Sequence, residues 1–296
     1  MRIVSLLPSA TEIVYLLGLG ESLVGVTHEC DWPPDARSKR HVSYSQLPLG
    51  ATPSEIDRLV TESASGGAPT HGLDRHAIRE LAPDLVLTQD LCAVCAVPAG
   101  HLRAALDVLG ISAEVVSLDP SSVDDVLHDV VTVGKATGTE TLAEEIAARL
   151  RERLAHVGDL TAARQRPRTF ALEWGDPPFN AGHWVPEMIE LAGGEALLAA
   201  RGVPSTRVTW EEIANTEPEI VVFMPCGYDL DGALAQVPQL LERPEIAGAR
   251  AVFAAGANGY YSRPGPRLVD GTEALAWAFH GEIGLTAASG TLARVR

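Results

Sequence analysis

Positive charge is scarce in this sequence of 296 residues. It has 23 Lys and Arg against 39 Asp and Glu, which gives a formal net charge of −16. A surface with this balance repels phosphate backbones and anionic lipid headgroups, because all of them carry charge of the same sign. We therefore expect no nucleic acid among the partners of this protein.

Long apolar runs are also missing. No run approaches the roughly 18 residues that a transmembrane helix needs, so the chain is not expected to be embedded in a membrane. Residues 3–7 are the only apolar stretch before Pro8, which is too short for the apolar core of a signal peptide. We therefore expect a cytoplasmic protein, and a periplasmic or extracellular one only if a leader has been removed.

Familiar catalytic signatures are absent as well. The sequence has no Walker phosphate loop, no Gly-x-Ser-x-Gly elbow and no His-Glu-x-x-His pair. The Gly-Leu-Gly at 18–20 follows a predicted helix rather than a strand, so it is not a dinucleotide fingerprint. No catalytic residue is predicted, and it stays open whether the chain is an enzyme.

The pattern that is present is an alternation of short buried strands and amphipathic helices. It predicts parallel sheets covered by helices on both faces, an α/β fold. Strands are predicted at 2–7, 23–27, 84–88, 113–118, 169–172, 219–224 and 251–254. Helices are predicted at 9–17, beginning with a capping box formed by Ser9 and Glu12, and at 101–109, 185–192, 210–215 and 266–279, with another helix start at 52–55 and a loop at 65–69.

The middle of the chain has a different pattern. Apolar residues recur at helical spacing over 122–157, and Gly134 and Gly138 interrupt them, which predicts a bent or broken helix. We therefore expect two Rossmann-like lobes bridged by a long helix, with a ligand cleft between the lobes. The predicted boundaries are 1–120 for the N-terminal lobe, 121–158 for the bridge and 159–296 for the C-terminal lobe.

Only four cysteines occur, and each follows a predicted strand: Cys30, Cys92, Cys95 and Cys226. The loops beyond the carboxyl ends of strands form the ligand crevice of open α/β sheets. The four thiols are either small buried hydrophobic residues, a Cys92–Cys95 disulfide, or thiolate ligands of tetrahedral zinc or an iron–sulfur cluster. A purely redox pair is the least favoured interpretation, because this context differs from that of a thioredoxin motif.

Aromatic, acidic and basic side chains fall in the same kind of loop. Tryptophans there can stack on a large flat ligand, and an acid and an imidazole can orient it. The alternatives are that Trp174 and Trp184 cover the core, that His183 is a hydrogen-bonded structural residue, and that Arg263 pairs with surface acids. The candidate ligand-binding residues are His28, Glu29, Trp32, Gln89, Glu173, Trp174, His183, Trp184, Tyr260 and Arg263.

Motifs at 3–12, 16–20, 81–86, 217–221 and 262–268 resemble those of the vitamin B12-binding and siderophore-binding proteins of ABC importers. Segments at 28–31, 92–95, 173–174, 182–186 and 225–227 resemble proteins commonly labelled cobalamin-binding. The resemblance implies two α/β lobes, a corrinoid or related metal chelate as ligand, and an ABC permease as partner if the protein is exported. It further implies that His28 or His183 ligates the central metal and that Arg263 meets an amide or phosphate.

The four cysteines and the missing leader support a second interpretation. In it the chain is a cytosolic iron–sulfur or zinc protein that holds its metal through Cys30, Cys92, Cys95 and Cys226. Glu173 and His183 then become acid–base or ligand candidates, because a carboxylate and an imidazole near a metal can carry protons.

Overall fold

The computed structural model describes residues 1–48, 55, 58–59, 61–62, 71–89, 102, 106, 110–281 and 283–296. These residues form mixed α/β structure, which confirms the predicted fold class, and they divide into two compact units. Unit 1 comprises Met1–Pro120 and His128–Ala147, and unit 2 comprises Ser121–Leu127 and Ala148–Arg296. Within the described part of the chain, no helix is both long and apolar enough to cross a membrane.

Unit 1 is built on a parallel sheet of five strands in the order β3-β2-β1-β6-β7. Strand β1 lies in the centre with all its residues buried, which explains its continuous apolar run. A separate antiparallel pair, β4 with β5, accompanies the sheet. The elements are β1 Ile3–Ser5, α1 Pro8–Leu16, β2 Leu23–Val26, β3 Arg40–His41, β4 Ser43–Ser45, β5 His71–Leu73, α2 Arg75–Leu81, β6 Leu85–Thr88 and β7 Glu114–Ser117.

The two ends of helix α1 differ in how well the sequence predicts them. The predicted capping box is wrong: the helix already begins at Pro8, and its N-cap Leu7 makes no side-chain cap hydrogen bond. Proline suits the first turn because it has no N–H group to satisfy there. The predicted stop is confirmed, since Gly18 has a φ of +74°, a conformation that glycine adopts without steric cost.

The segment predicted as a bridging helix consists of two helices, α3 Val123–Thr137 and α4 Glu140–Thr161. The chain breaks at Gly138, where φ is +75°. The two helices run antiparallel: Gly134 lies against Ala143 near the turn, and Asp124 forms an ion pair with Arg151 further along. Helical periodicity shows which residues share a face, but it does not show in which direction the chain continues after a break.

Unit 2 contains a sheet in the order β10-β8-β11-β12-β13, parallel except for β13, with β9 paired to β8. Alternate residues of the central strands pack into cores on opposite faces, as Val222 and its neighbour Val221 do in β11. The elements are β8 Arg168–Gly175, β9 Pro178–Asn180, α5 Val185–Leu191, β10 Glu195–Ala196, α6 Trp210–Asn215, β11 Ile220–Phe223, α7 Leu230–Leu241, β12 Ala251–Ala255, α8 Ala257–Tyr260, α9 Leu268–His280 and β13 Leu292–Arg294.

Helix α7 is the main element that the sequence analysis does not predict. It contains Pro238 in its interior, and Pro and Gly together obscure the helical signal. Its start is nonetheless capped, since the Asp229 side chain accepts a hydrogen bond from Gly232 N at 2.9 Å. The predicted helix start at 52–55, the loop at 65–69 and the helix at 101–109 lie wholly or mostly outside the described residues.

Candidate functional site

In unit 2 the candidate site begins at the carboxyl end of β8. The strand extends to Gly175, where it pairs with β9, so Glu173 and Trp174 lie within it and not, as the sequence predicts, in a loop after it. Glu173 is half-buried, and its Oε2 accepts a hydrogen bond from Ser205 Oγ. Gly182 N in turn donates to Ser205 Oγ at 3.0 Å. The serine therefore fixes the orientation of the carboxylate, although 32 residues separate it from Glu173 in sequence.

The loop that carries His183 is held by backbone contacts. His183 N donates to Val203 O at 2.6 Å, and Gly202 N donates to His183 O at 2.8 Å. A Cβ at Gly182 would lie 2.3 Å from Ser205 N, so only glycine permits this close approach. His183 has a φ of +54°, an uncommon conformation for a residue with a side chain, and these hydrogen bonds hold it there.

The imidazole of His183 is half-buried and lies beside the ring of Trp184, with 5.4 Å between the ring centroids. Burial lowers the pKa of His183 below its usual value of about 6.5, because desolvation disfavours the charged form. The ring is therefore neutral at neutral pH. A neutral imidazole has one nitrogen that can accept a hydrogen bond or bind a metal.

Trp184 belongs to the core of unit 2. Its side chain is only 4% exposed, and its indole Nε1–H donates to Tyr261 O at 2.7 Å. Tyr261 is itself fully buried, and its hydroxyl donates to Gly271 O at 3.2 Å. This burial favours the interpretation that Trp184 packs the core. Stacking of its indole on a ligand stays a prediction.

These residues line a small pocket of about 20 Å³. That volume is enough for about one water molecule or one small polar group. The lining residues are Glu173, Ala181, Gly182, His183, Trp184, Val185, Ser205, Met224, Tyr261 and Ser262. The pocket thus joins an oriented carboxylate, a neutral imidazole and hydroxyl groups at the carboxyl ends of β8 and β11, where α/β sheets bind ligands.

Four further candidates lie near these strand ends in unit 2. Trp174 is half-buried in β8, and Cys226 N donates to Glu173 O at 3.3 Å. Tyr260 is half-buried in α8, and the guanidinium of Arg267 lies 5.1 Å from its ring centroid. Arg263 is half-buried after this helix. The rings of Trp174 and Tyr260 thus keep part of their surface exposed.

In unit 1 the candidate residues gather after β2. His28 is half-buried, and its Nδ1 lies 2.9 Å from the hydroxyl oxygen of Ser43 in β4. The ring of His71 in β5 is tilted by 43° to that of His28, with 5.3 Å between the centroids. Glu29 completes the group: one ligand atom each from His28, Glu29 and His71 lie within 4.8 Å of one another.

The structure describes two of the four cysteines, Cys30 and Cys226. Cys30 is buried, and its Sγ lies 3.0 Å from Thr11 Oγ1. Cys92 and Cys95 lie outside the described residues, so the four-cysteine metal site stays a prediction. Two other candidates of unit 1 differ in exposure: Trp32 is 45% exposed, whereas Gln89, directly after β6, is buried.

Sequence reasoning misses three residues that the structure brings into these groups: Ser43, His71 and Ser205. Ser43 and His71 lie on the short β4–β5 pair, and Ser205 lies in a loop before α6. None of the three follows a predicted strand of the main sheets, so the rule that ligands bind in the loops after strands does not select them. Only the residue type could have pointed to them, since histidine is a common metal ligand and a serine hydroxyl donates and accepts hydrogen bonds.

Each of the two α/β units has a mainly parallel sheet with candidate side chains at the carboxyl ends of its strands, an arrangement that fits a two-domain substrate-binding protein. The chain belongs to the periplasmic binding protein family, whose model matches residues 3–254. It is 27% identical over 245 residues to the vitamin B12-binding protein of Yersinia pestis (strain Pestoides F). That match covers 81% of this chain and 75% of the relative.

Solved structures share the fold. The periplasmic vitamin B12-binding protein BtuF of Vibrio cholerae superposes with a TM-score of 0.68 at 23% identity, covering 93% of this chain and 94% of that one. A periplasmic heme-binding protein from Pseudomonas aeruginosa gives a TM-score of 0.72 at 21% identity, covering 99% and 97%. These relatives are described as periplasmic, so the comparisons give no support to the expected cytoplasmic location. Nor do they support the iron–sulfur or zinc alternative.

Proposed function

We propose that this protein binds a corrinoid, a cobalamin-like metal chelate, and that the loops at the strand ends of unit 2 contribute to the site. The support comes from the vitamin B12-binding relative, which matches most of the chain, and from the candidate residues that these loops carry. The protein then acts as a ligand carrier without catalysis. An ABC permease is the proposed partner that receives the ligand.

The observation that carries this proposal is the pocket of unit 2, where His183, Glu173 and Ser205 converge. A corrinoid carries amide groups around its ring, and these both donate and accept hydrogen bonds. The carboxylate of Glu173 accepts from an amide N–H, and the neutral imidazole of His183 either accepts such a bond or coordinates the central metal. A pocket of about 20 Å³ admits one such group and leaves the macrocycle outside it.

The flat surface of the macrocycle needs aromatic partners. Trp174 and Tyr260 of unit 2 are half-buried, so both retain surface for stacking. Arg263 adds a planar cation that suits a phosphate or amide of the nucleotide tail. Backbone hydrogen bonds hold the loop around His183, and a loop fixed in this way reduces the entropic cost of binding.

Equilibrium dialysis of the purified chain with hydroxocobalamin tests the proposal. We expect one bound corrinoid per chain and about 5- to 150-fold weaker binding in His183→Asn, since a lost hydrogen bond to a buried polar group costs about 1–3 kcal/mol. Asparagine is chosen because it tolerates a positive φ. His156→Asn, an exposed histidine of α4 in the same unit, is the matched control and should bind as wild type.

Hemin serves as the second probe, since heme-binding proteins share this fold. Stoichiometric retention of hemin with no retention of hydroxocobalamin would mean that the ligand is a porphyrin and not a corrinoid. If neither is retained, the proposal of a planar metal chelate fails. Equal binding by wild type and His183→Asn would show that the unit 2 pocket does not contribute to corrinoid binding.

A further inference from the structure

We propose that unit 1 holds a divalent transition-metal ion of the zinc type, bound by His28, Glu29 and His71. This site uses no cysteine ligand and does not depend on the corrinoid proposal. Its basis is the convergence of three metal-binding side chains from two parts of the chain, 28–29 and 71. One ligand atom from each of these three side chains lies within 4.8 Å of the other two.

The spacing of the three ligand atoms fits one ion after a small adjustment. They lie within 4.8 Å of one another. Bonds of about 2.0–2.2 Å in tetrahedral geometry place ligand atoms about 3.3–3.6 Å apart, so these atoms must approach one another by up to about 1.5 Å. Rotation about side-chain torsions supplies a movement of that size, especially for a glutamate, without a change of backbone.

The surroundings of His28 match those of a metal-bound histidine. Such histidines commonly engage their second ring nitrogen in a hydrogen bond, which fixes the orientation of the ring. Here Ser43 Oγ lies 2.9 Å from His28 Nδ1 and also 2.7 Å from Thr27 Oγ1. Nε2 is then the nitrogen assigned to the metal. Ser43 and His71 lie on the paired strands β4 and β5, so one small element supplies both a ligand and the residue that orients another.

The ligand set also predicts the kind of site. Two neutral imidazoles and one carboxylate are the protein ligands of zinc centres that keep a fourth position open for water or another molecule. Closed structural zinc sites normally have four protein ligands, most often with cysteine. We therefore assign an exchangeable ion with an open coordination position, rather than one needed for folding.

The test is Zn²⁺ titration of the full chain after removal of metal with a chelator, measured by calorimetry. We expect one equivalent to bind. Affinity should fall at least about 100-fold in His28→Ala and in His71→Ala, and about 10–100-fold in Ser43→Ala, which removes the hydroxyl that orients His28 but none of the three ligands. His76→Ala is the matched control, because His76 is an exposed histidine of unit 1 and should not affect binding. Circular dichroism shows whether each variant is folded.

Co²⁺ distinguishes this site from a cysteine site in the wild-type protein. A site of nitrogen and oxygen ligands gives visible d–d bands without the intense near-ultraviolet band of sulfur-to-cobalt charge transfer. That charge-transfer band, accompanied by unchanged Zn²⁺ affinity in His71→Ala, would overturn the assignment. The absence of stoichiometric Zn²⁺ binding would overturn it as well. Retention of hydroxocobalamin is a separate measurement, so the two proposals fail independently.

Discussion

Replacing Gly134 by alanine probes the close antiparallel packing of α3 and α4. A Cβ at position 134 would lie 2.3 Å from the Cβ of Ala143 and 3.4 Å from the Cα of Glu140. Both Cβ positions follow directly from the backbone, so no side-chain rotation can relieve the overlap. One helix must therefore move away from the other in the Gly134→Ala variant.

The magnitude follows from two opposing effects. Overpacking of a well-packed site typically costs about 1–3 kcal/mol. Alanine in a helix is more favourable than glycine by roughly 0.5–1 kcal/mol, because glycine loses more backbone entropy on folding. Gly158→Ala in α4 measures the second effect alone, since a Cβ there meets nothing within 4 Å. The two variants should therefore differ by about 1–3 kcal/mol in free energy of unfolding.

Urea unfolding followed by circular dichroism measures this difference. We expect Gly158→Ala to be slightly more stable than wild type, and Gly134→Ala to be less stable than Gly158→Ala. Combining Gly134→Ala with Ala143→Gly removes the overlapping methyl group, so the double variant should show a favourable coupling energy of similar size. If Gly134→Ala is as stable as Gly158→Ala, the two helices are not in this contact and the reasoning is refuted.

Three further predictions concern unit 2. Burial lowers the pKa of His280, so below about pH 6.5 the unfolded chain binds its proton first and stability falls as pH decreases. His280→Asn should reduce this fall in urea unfolding at pH 7.5 and 5.5, and an equal fall in the variant and the wild type would contradict this. Trp184→Phe leaves the buried carbonyl of Tyr261 without its indole donor and should cost about 1–3 kcal/mol, and an unchanged melting temperature would contradict this. Arg153→Met removes ion pairs to two carboxylates of α9. Because the Arg153 side chain is 41% exposed, the variant should lower the free energy of unfolding by only about 1 kcal/mol, and by less at high salt. A loss that does not depend on salt would contradict the ionic origin.

The short-range pattern of the sequence is enough to predict the strands and helices that build the two sheets. Period-two burial and continuous apolar runs depend on neighbouring residues, so β6, β11 and β12 are found within a residue or two of their predicted bounds. Helix α6 begins and ends as predicted, because its Thr209 capping box is itself a local pattern. The same box is wrong at Ser9, where Pro8 already occupies the first helical turn.

The candidate residues illustrate the limit of that pattern. The rule that ligands gather after parallel strands points to Glu173 and His183, and both line the pocket of unit 2. It cannot predict that Ser205 orients Glu173, because that contact depends on the glycine-permitted approach of two distant loops. It likewise misses His71 beside His28.

The sequence by itself therefore determined the α/β class, most strand positions and the break in the middle helix, because each depends on residues that are close along the chain. Only the tertiary structure decided that α3 and α4 run antiparallel, that Trp184 is buried in the core, and that His71 lies beside His28 and Glu29. Those outcomes depend on which distant surfaces pack together. Local hydrophobic periodicity carries no information about that choice, since it records only which face of an element is buried.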